Sequence, residues 1–340
     1  MMPEKGTTMR FIDLHCDTLG TCVARSGGKV RLAENSCQLD LKRLKAAGSM
    51  AQVFAAFLPT HDTAKEDGIT LGPQDLFDQI YACYQKELRI NRDTLAPALS
   101  GEDILKNDRA GRLSAILGVE DCVLLDGSLR RIASLYKKGV RVMTLTWWYE
   151  NSLGYPCSPI PADTARGLKP FGKKAVRRMQ ELGILVDVSH LSDGGFYDVA
   201  SLSQELHVPF AATHSCARTL CQHPRNLTDD MLRIIGETGS VCGINFCAEF
   251  LNGRSGKYTR IDDIVQCARY IRDKAGIDAL AIGSDFDGID STLEFGDCAG
   301  LPKLADALAM YFPADEVEKI CWKNALRVLT DALKGTAHRK

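Results

Sequence analysis

Three histidines and three carboxylates stand where short apolar runs end. They are the donor types that catalytic zinc takes, imidazole nitrogen and carboxylate oxygen. In Phe11-Ile12-Asp13-Leu14-His15-Cys16-Asp17 a period of two places His15 and Asp17 on the same side as Asp13, at the exit of an extended segment. The run Ile116-Leu117-Gly118-Val119 delivers Glu120, Val186-Asp187-Val188-Ser189 delivers His190, Ala211-Ala212-Thr213 delivers His214, and Ile282-Gly283-Ser284 delivers Asp285. Six such groups exceed what one tetrahedral ion with an open position can use, so two ions sharing a carboxylate is the economical arrangement. A pair of ions roughly 3.5 to 4 Å apart polarises a carbonyl and lowers the pKa of bound water from about 15.7 toward about 7. Taken singly, a His or Asp after a strand is as readily a cap or a solvated loop residue. Asp13 and Asp187, just inside their strands, read equally well as partners of neighbouring backbone. The other four of the seven histidines, His61, His207, His223 and His338, fall in loops or polar segments and read as surface residues.

Bringing six side chains to one place requires the segments that bear them to share an end. Eight short apolar, β-rich runs occur at 11–15, 51–58, 114–119, 140–146, 184–189, 209–213, 239–246 and 279–284. Helical spacing fills 75–90, 128–138, 171–182, 192–205, 228–237 and 261–275, and a further helix is expected over 314–333. Glycines 139, 183 and 276 end helices just before the next strand. This alternation predicts an α/β fold, a (β/α)8 TIM barrel, as a single domain over 1–340 with 1–9 as an N-terminal extension and 334–340 as a tail. Long loops are expected at 151–170 and 286–302, on the face where barrels carry their sites.

Composition narrows the partners. Forty-two Lys and Arg nearly cancel forty-three Asp and Glu, leaving no broad field for nucleic acid or an anionic membrane, and a small substrate fits better. An apolar share of 45% supports a sizeable core. Thirteen cysteines without CxxC pairs, several inside apolar segments, suggest a reducing cytoplasm. Met1 to Arg10 is polar and no apolar run reaches the roughly 18 residues of a membrane helix, so neither export nor anchoring is expected.

The ordered set of His15-Cys16-Asp17, Gly118-Val119-Glu120, Asp187-Val188-Ser189-His190, Thr213-His214-Ser215, His223-Pro224-Arg225-Asn226-Leu227 and Gly283-Ser284-Asp285-Phe286-Asp287-Gly288 resembles the membrane (renal) dipeptidase family of the amidohydrolase superfamily, over roughly residues 10–330. The resemblance implies two zinc ions per chain and a dipeptide substrate, with L-D dipeptides among those cleaved. His15, Asp17 and Glu120 match the ligands of one ion, and Glu120, His190 and His214 those of the other. Asp285 matches the carboxylate that acts as general acid and base. Arg225 matches the residue that holds the substrate carboxylate; without the resemblance it reads as a surface arginine. Family members are often dimers, which implies a homodimer here.

One departure bears on the chemistry. The mammalian relatives carry a histidine after the fourth strand, thought to stabilise the developing oxyanion, whereas Trp147 follows Thr144-Leu145-Thr146 here. The continuation Tyr149-Glu150-Asn151 is similar to the bacterial branch. Trp147 has one N–H to offer, and Asn151 is a second candidate donor to substrate. Trp147 reads equally as packing on the pocket wall. The run Cys321-Trp322-Lys323-Asn324, where relatives have small glycines, affects packing more than chemistry. Two other functions remain open: a metal-dependent hydrolase of another small amide or lactone, and a catalytically idle binding barrel.

Overall fold

The computed structural model describes residues 9–253 and 257–336. Residues 1–8 of the expected extension, and residues 337–340 of the expected tail with His338, lie outside them. Eight parallel strands form a closed ring: β1 (Phe11–Cys16), β2 (Ser49–Phe57), β3 (Leu113–Glu120), β4 (Val140–Thr144), β5 (Leu185–Asp187), β6 (Ala211–Ser215), β7 (Val241–Ile244) and β8 (Leu280–Ile282). Each pairs with the next, and Asp13 opposite Ile282 closes β8 onto β1. A short strand, Leu95–Pro97, adds to the start of β3. The expected barrel is present, and all eight expected strands are among its members.

Helices follow the strands because their apolar residues recur at helical spacing and are capped at the start. Asp40 accepts the Arg43 N–H, Ser192 the Gly195 N–H and Thr228 the Met231 N–H, starting the helices Leu41–Ala47, Asp193–Leu206 and Asp229–Glu237. The helices Leu41–Ala47, Gly101–Arg109 and Leu301–Leu308, with the shorter His61–Glu66, Pro161–Thr164 and Ala248–Leu251, lie outside the segments expected from periodicity; all are short, and the first two start at side-chain caps, Asp40 and Ser100. Gly183 ends Pro170–Leu182 with φ of 83°, and a Cβ there would lie 2.4 Å from the Leu333 carbonyl oxygen.

The expected helix over 314–333 is broken. Ala314–Glu318 and Asn324–Leu333 flank a wide π-type turn, Lys319–Lys323. The turn lets Asn324 donate to the carbonyls of Ile277 and Leu280, tying the last helix to the start of β8. That helix packs Ala325, Val328 and Leu329 into one cluster with Ile12, Val53, Ile116, Val142 and Val241, and so plugs the N-terminal end of the barrel. The larger cluster lies between the strands and the surrounding helices. Among the described residues no helix is long and apolar enough to cross a membrane.

Candidate metal centre

At the C-terminal end of the ring the predicted residues converge. Glu120, at the end of β3, sits between two groups. Its Oε2 is 3.4 Å from His15 Nε2, and its Oε1 is 3.1 Å from His190 Nε2 and 3.5 Å from His214 Nε2. The two histidine Nε2 atoms of His190 and His214 are 3.0 Å apart. His15 Nε2 is also 3.3 Å from Asp17 Oδ2 and 3.8 Å from Asp285 Oδ1. All six side chains are buried.

Such crowding is unfavourable without a cation. Burial pushes the Glu120 carboxyl up to about 8 and that of Asp285 up to about 6, while it drives His190 and His214 well below the usual imidazole range. Both of these imidazoles are therefore neutral at neutral pH, with a lone pair each. His15 Nε2 and Asp17 Oδ1 are buried and lack a hydrogen-bond partner. Nitrogen and oxygen donors at such spacing, with orphaned atoms among them, fit divalent cations of the zinc class.

Backbone and neighbouring polar groups hold this geometry. His190 (φ 67°), Asp121 (φ 64°), Asp285 (φ 62°) and Asp287 (φ 64°) occupy the left-handed region, which non-glycine residues seldom adopt. These turns end β3, β5 and β8 where side chains must leave the ladder, so β5 and β8 are shorter than expected. Gly288 is required by close approach, since a Cβ would fall 2.2 Å from Asp17 Oδ2 and 2.3 Å from Asp285 Oδ1.

Asp13 and Asp187 take the structural role that their places inside the strands suggested. Asp13 accepts the Ser284 N–H (2.9 Å) and hydroxyl (2.6 Å), fixing β8 one residue before Asp285. Asp187 accepts the Thr213 N–H (2.8 Å) and hydroxyl (2.7 Å), one residue before His214. The Thr213 oxygen is in turn 2.8 Å from His214 Nδ1; with its own hydrogen given to Asp187, it accepts from the ring. That tautomer leaves His214 Nε2 free to coordinate.

Sequence reasoning overlooked Asn245, just past β7. Its Nδ2 donates to Asp285 Oδ2 at 2.8 Å, and its Oδ1 accepts the Cys247 N–H, which fixes the amide orientation. The available signal was a polar residue at a strand exit, the same signal that marked the others.

Arg225 is not a surface residue. It is 3% exposed, donates from Nη2 to the His214 carbonyl, and leaves Nε and Nη1 without partners. His223, also read as a surface residue, is half-buried, and its Nδ1 accepts the Arg225 N–H. A buried guanidinium with two open donors and no carboxylate on it is prepared for an anion.

Trp147 packs on Phe57 and lies 5.9 Å from the His190 ring, on the wall of a cleft of about 510 Å³ that reaches Asp17, Glu120, His190 and Asp285. Asn151 has its polar atoms engaged elsewhere: it donates to Asp121 Oδ1 and the Leu145 carbonyl and accepts the Leu153 N–H, which holds the loop after β4.

Comparison with known proteins identifies the family. A protein of Klebsiella pneumoniae described as uncharacterized, from the pqqA 5' region, is 35% identical over 76% of this chain and 96% of its own length. The dipeptidase tcpJ of Claviceps purpurea is 27% identical over 89% of this chain and 71% of its own. A metallopeptidase of Rhodobacter sphaeroides, solved with a phosphinate mimic of the dipeptide L-Ala-D-Ala, superposes with a TM-score of 0.87 at 26% identity, covering 96% of this chain and 100% of that one. The model of the membrane dipeptidase family, peptidase family M19, matches residues 6–339, and this chain belongs to that family.

Proposed function

We propose that this chain is a dipeptidase that uses two zinc ions and cleaves dipeptides with either an L- or a D-residue at the C-terminal position. The observation that carries the reading is Glu120, whose two carboxylate oxygens face His15 on one side and His190 with His214 on the other. His15, Asp17 and Glu120 would hold one ion and Glu120, His190 and His214 the second, with Glu120 bridging. When bound, the ions supply Lewis acidity toward a carbonyl and a water acidic enough to attack near neutral pH.

The chain's own residues do the rest. Asp285, buried beside His15 and held by the Asn245 amide, is placed to take a proton from the attacking water and return it to the leaving amine. Burial raises its carboxyl above the usual carboxylate range, which favours holding the proton between the two transfers. Arg225 offers Nε and Nη1 to a substrate carboxylate, which favours a dipeptide over an uncharged amide or lactone. Trp147 and Phe57 give the cleft an apolar wall for a side chain, and the Trp147 N–H is the candidate donor to a developing oxyanion. Asn151, with its hydrogen bonds spent on Asp121, the Leu145 carbonyl and the Leu153 N–H, supports that wall. The relative solved with an L-Ala-D-Ala mimic supports a D-residue at the second position. Thirteen free cysteines support a reducing, cytoplasmic setting.

The test is a panel of L-L and L-D dipeptides with elemental analysis of the same preparation. About two equivalents of zinc, activity lost on chelation and restored by zinc, and release of free amino acids from both series are expected. No hydrolysis anywhere in the panel by zinc-replete protein would reject the reading.

A further inference from the structure

Outside this centre, a second set of metal-type donors meets at the edge of the same face. Cys22 Sγ, Cys37 Sγ and a carboxylate oxygen of Asp287 lie within 4.8 Å of one another. They come from three distant stretches: the helical turn Thr18–Ala24 that follows Asp17, the loop ahead of the helix Leu41–Ala47, and the turn after β8. All three are half-buried and line an open cavity of about 700 Å³, so an ion has an entry path and water can reach it.

The carboxylate is already oriented. Asp287 Oδ1 accepts the Gln38 N–H at 2.7 Å, Oδ2 accepts the Thr18 hydroxyl, and the Gln38 side-chain oxygen accepts the Asp287 N–H. Each oxygen keeps a further lone pair, and fixing of a ligand by such outer hydrogen bonds is how protein metal sites set geometry. Another close thiol pair, Cys216 with Cys267, is wholly buried and has no acid among the partners that perturb it. Only the Cys22 pair therefore combines access, a carboxylate and proximity among the described residues.

We propose that Cys22, Cys37 and Asp287 form a third metal site, for a soft divalent ion of the zinc class, distinct from the histidine and carboxylate centre. Two thiolates and one carboxylate leave a fourth position for water from the cavity. Two thiols each lose a proton and the ion takes the two thiolates and the existing carboxylate, so binding releases two protons and needs no oxidant. The bound ion would tie the segment carrying Asp17 to the turn carrying Asp285.

Cobalt titration of the full-length, reduced protein tests this, because the first centre contains no sulfur. A third equivalent should bring a near-ultraviolet thiolate-to-cobalt charge-transfer band. Cys22→Ser and Cys37→Ser, each made singly, should abolish the band while two equivalents of metal and dipeptidase activity remain. Cys83→Ser, at a half-buried cysteine elsewhere, should keep it; circular dichroism of each variant checks folding. Absence of the band beyond two equivalents overturns the proposal, and so does a band that survives in the folded Cys22→Ser and Cys37→Ser proteins. Recovery of the pair as a disulfide whose reduced form binds no third ion overturns it equally.

Discussion

The two flanks of the barrel rim are built by one device and carry opposite chemistry. On the β1/β8 flank Asp13 accepts its own residue-plus-two N–H, from His15, and then the N–H and hydroxyl of Ser284. On the β5/β6 flank Asp187 accepts the Ser189 N–H, then the N–H and hydroxyl of Thr213. The register is the same, since Asp13 stands opposite Ile282 and Asp187 opposite Ala211, each two residues before the hydroxyl. What differs is the residue after the hydroxyl. On one flank it is Asp285, beside Asp17 and His15; on the other it is His214, beside His190. A fixed strand pairing thus aims whichever side chain follows it, and the choice of that side chain makes one flank acidic and the other neutral and nitrogenous. The flanks also differ in reach: Thr213 extends its clamp to the His214 ring, whereas beyond Asp13 the Ser284 hydroxyl meets backbone, the His15 carbonyl and the Phe286 N–H.

Several substitutions break or sharpen this contrast. Glu120→Ala removes the group shared by both flanks, and the loss of both ions together with all measurable hydrolysis is expected; two equivalents of zinc in that variant would contradict a bridging role. Asp285→Asn should lower kcat by about 10²- to 10⁴-fold with zinc content unchanged, the range of a lost acid–base group. Arg225→Met, on the histidine flank, should raise KM for dipeptides by about 10- to 100-fold, as one charged hydrogen bond is worth about 1.5–3 kcal/mol. Dipeptides amidated at the C-terminus should show no such change.

The clamps themselves should separate by readout. Asp187→Asn should weaken zinc binding by about 10- to 100-fold, because it loosens a ligand ring, whereas Asp13→Asn should act mainly on kcat through Asp285. Equal losses of zinc affinity in the two variants would erase the distinction between flanks. The smallest effect concerns Thr144, whose hydroxyl adds a 2.6 Å hydrogen bond to Asp187 Oδ2. Thr144→Val should reduce unfolding free energy by about 1 kcal/mol, measured by denaturant titration, with kcat barely altered.

Much of this was legible in the residues because a parallel strand reports itself twice, as a short apolar run and as a polar residue at its exit. His15, Glu120, His214 and Asp285 all carry that double mark, so both the barrel and the group that meets at its rim follow from local pattern. Asn245 carries it too and was passed over, since an amide is neither a usual zinc ligand nor ionisable. Asn151 looked available because its sequence position borders the fourth strand, yet its hydrogen bonds go to Asp121 after β3 and to backbone of its own loop. Arg225 and His223 show the converse failure: a polar loop gives no sign that it folds inward over His214.

By itself, the order of apolar runs, glycine stops and strand-end ionisable residues determined the barrel, its polarity and the donor types that gather at one end. Tertiary structure alone decided which atoms face each other: the split of Glu120 between His15 and the histidine pair, the burial of Arg225 with open donors, and the meeting of Cys22 and Cys37 with Asp287. The physical reason is that periodicity and strand direction are local properties of the chain. Distances between side chains on different strands, and the burial that shifts their protonation, exist only once ring closure and the left-handed turns at the rim are in place.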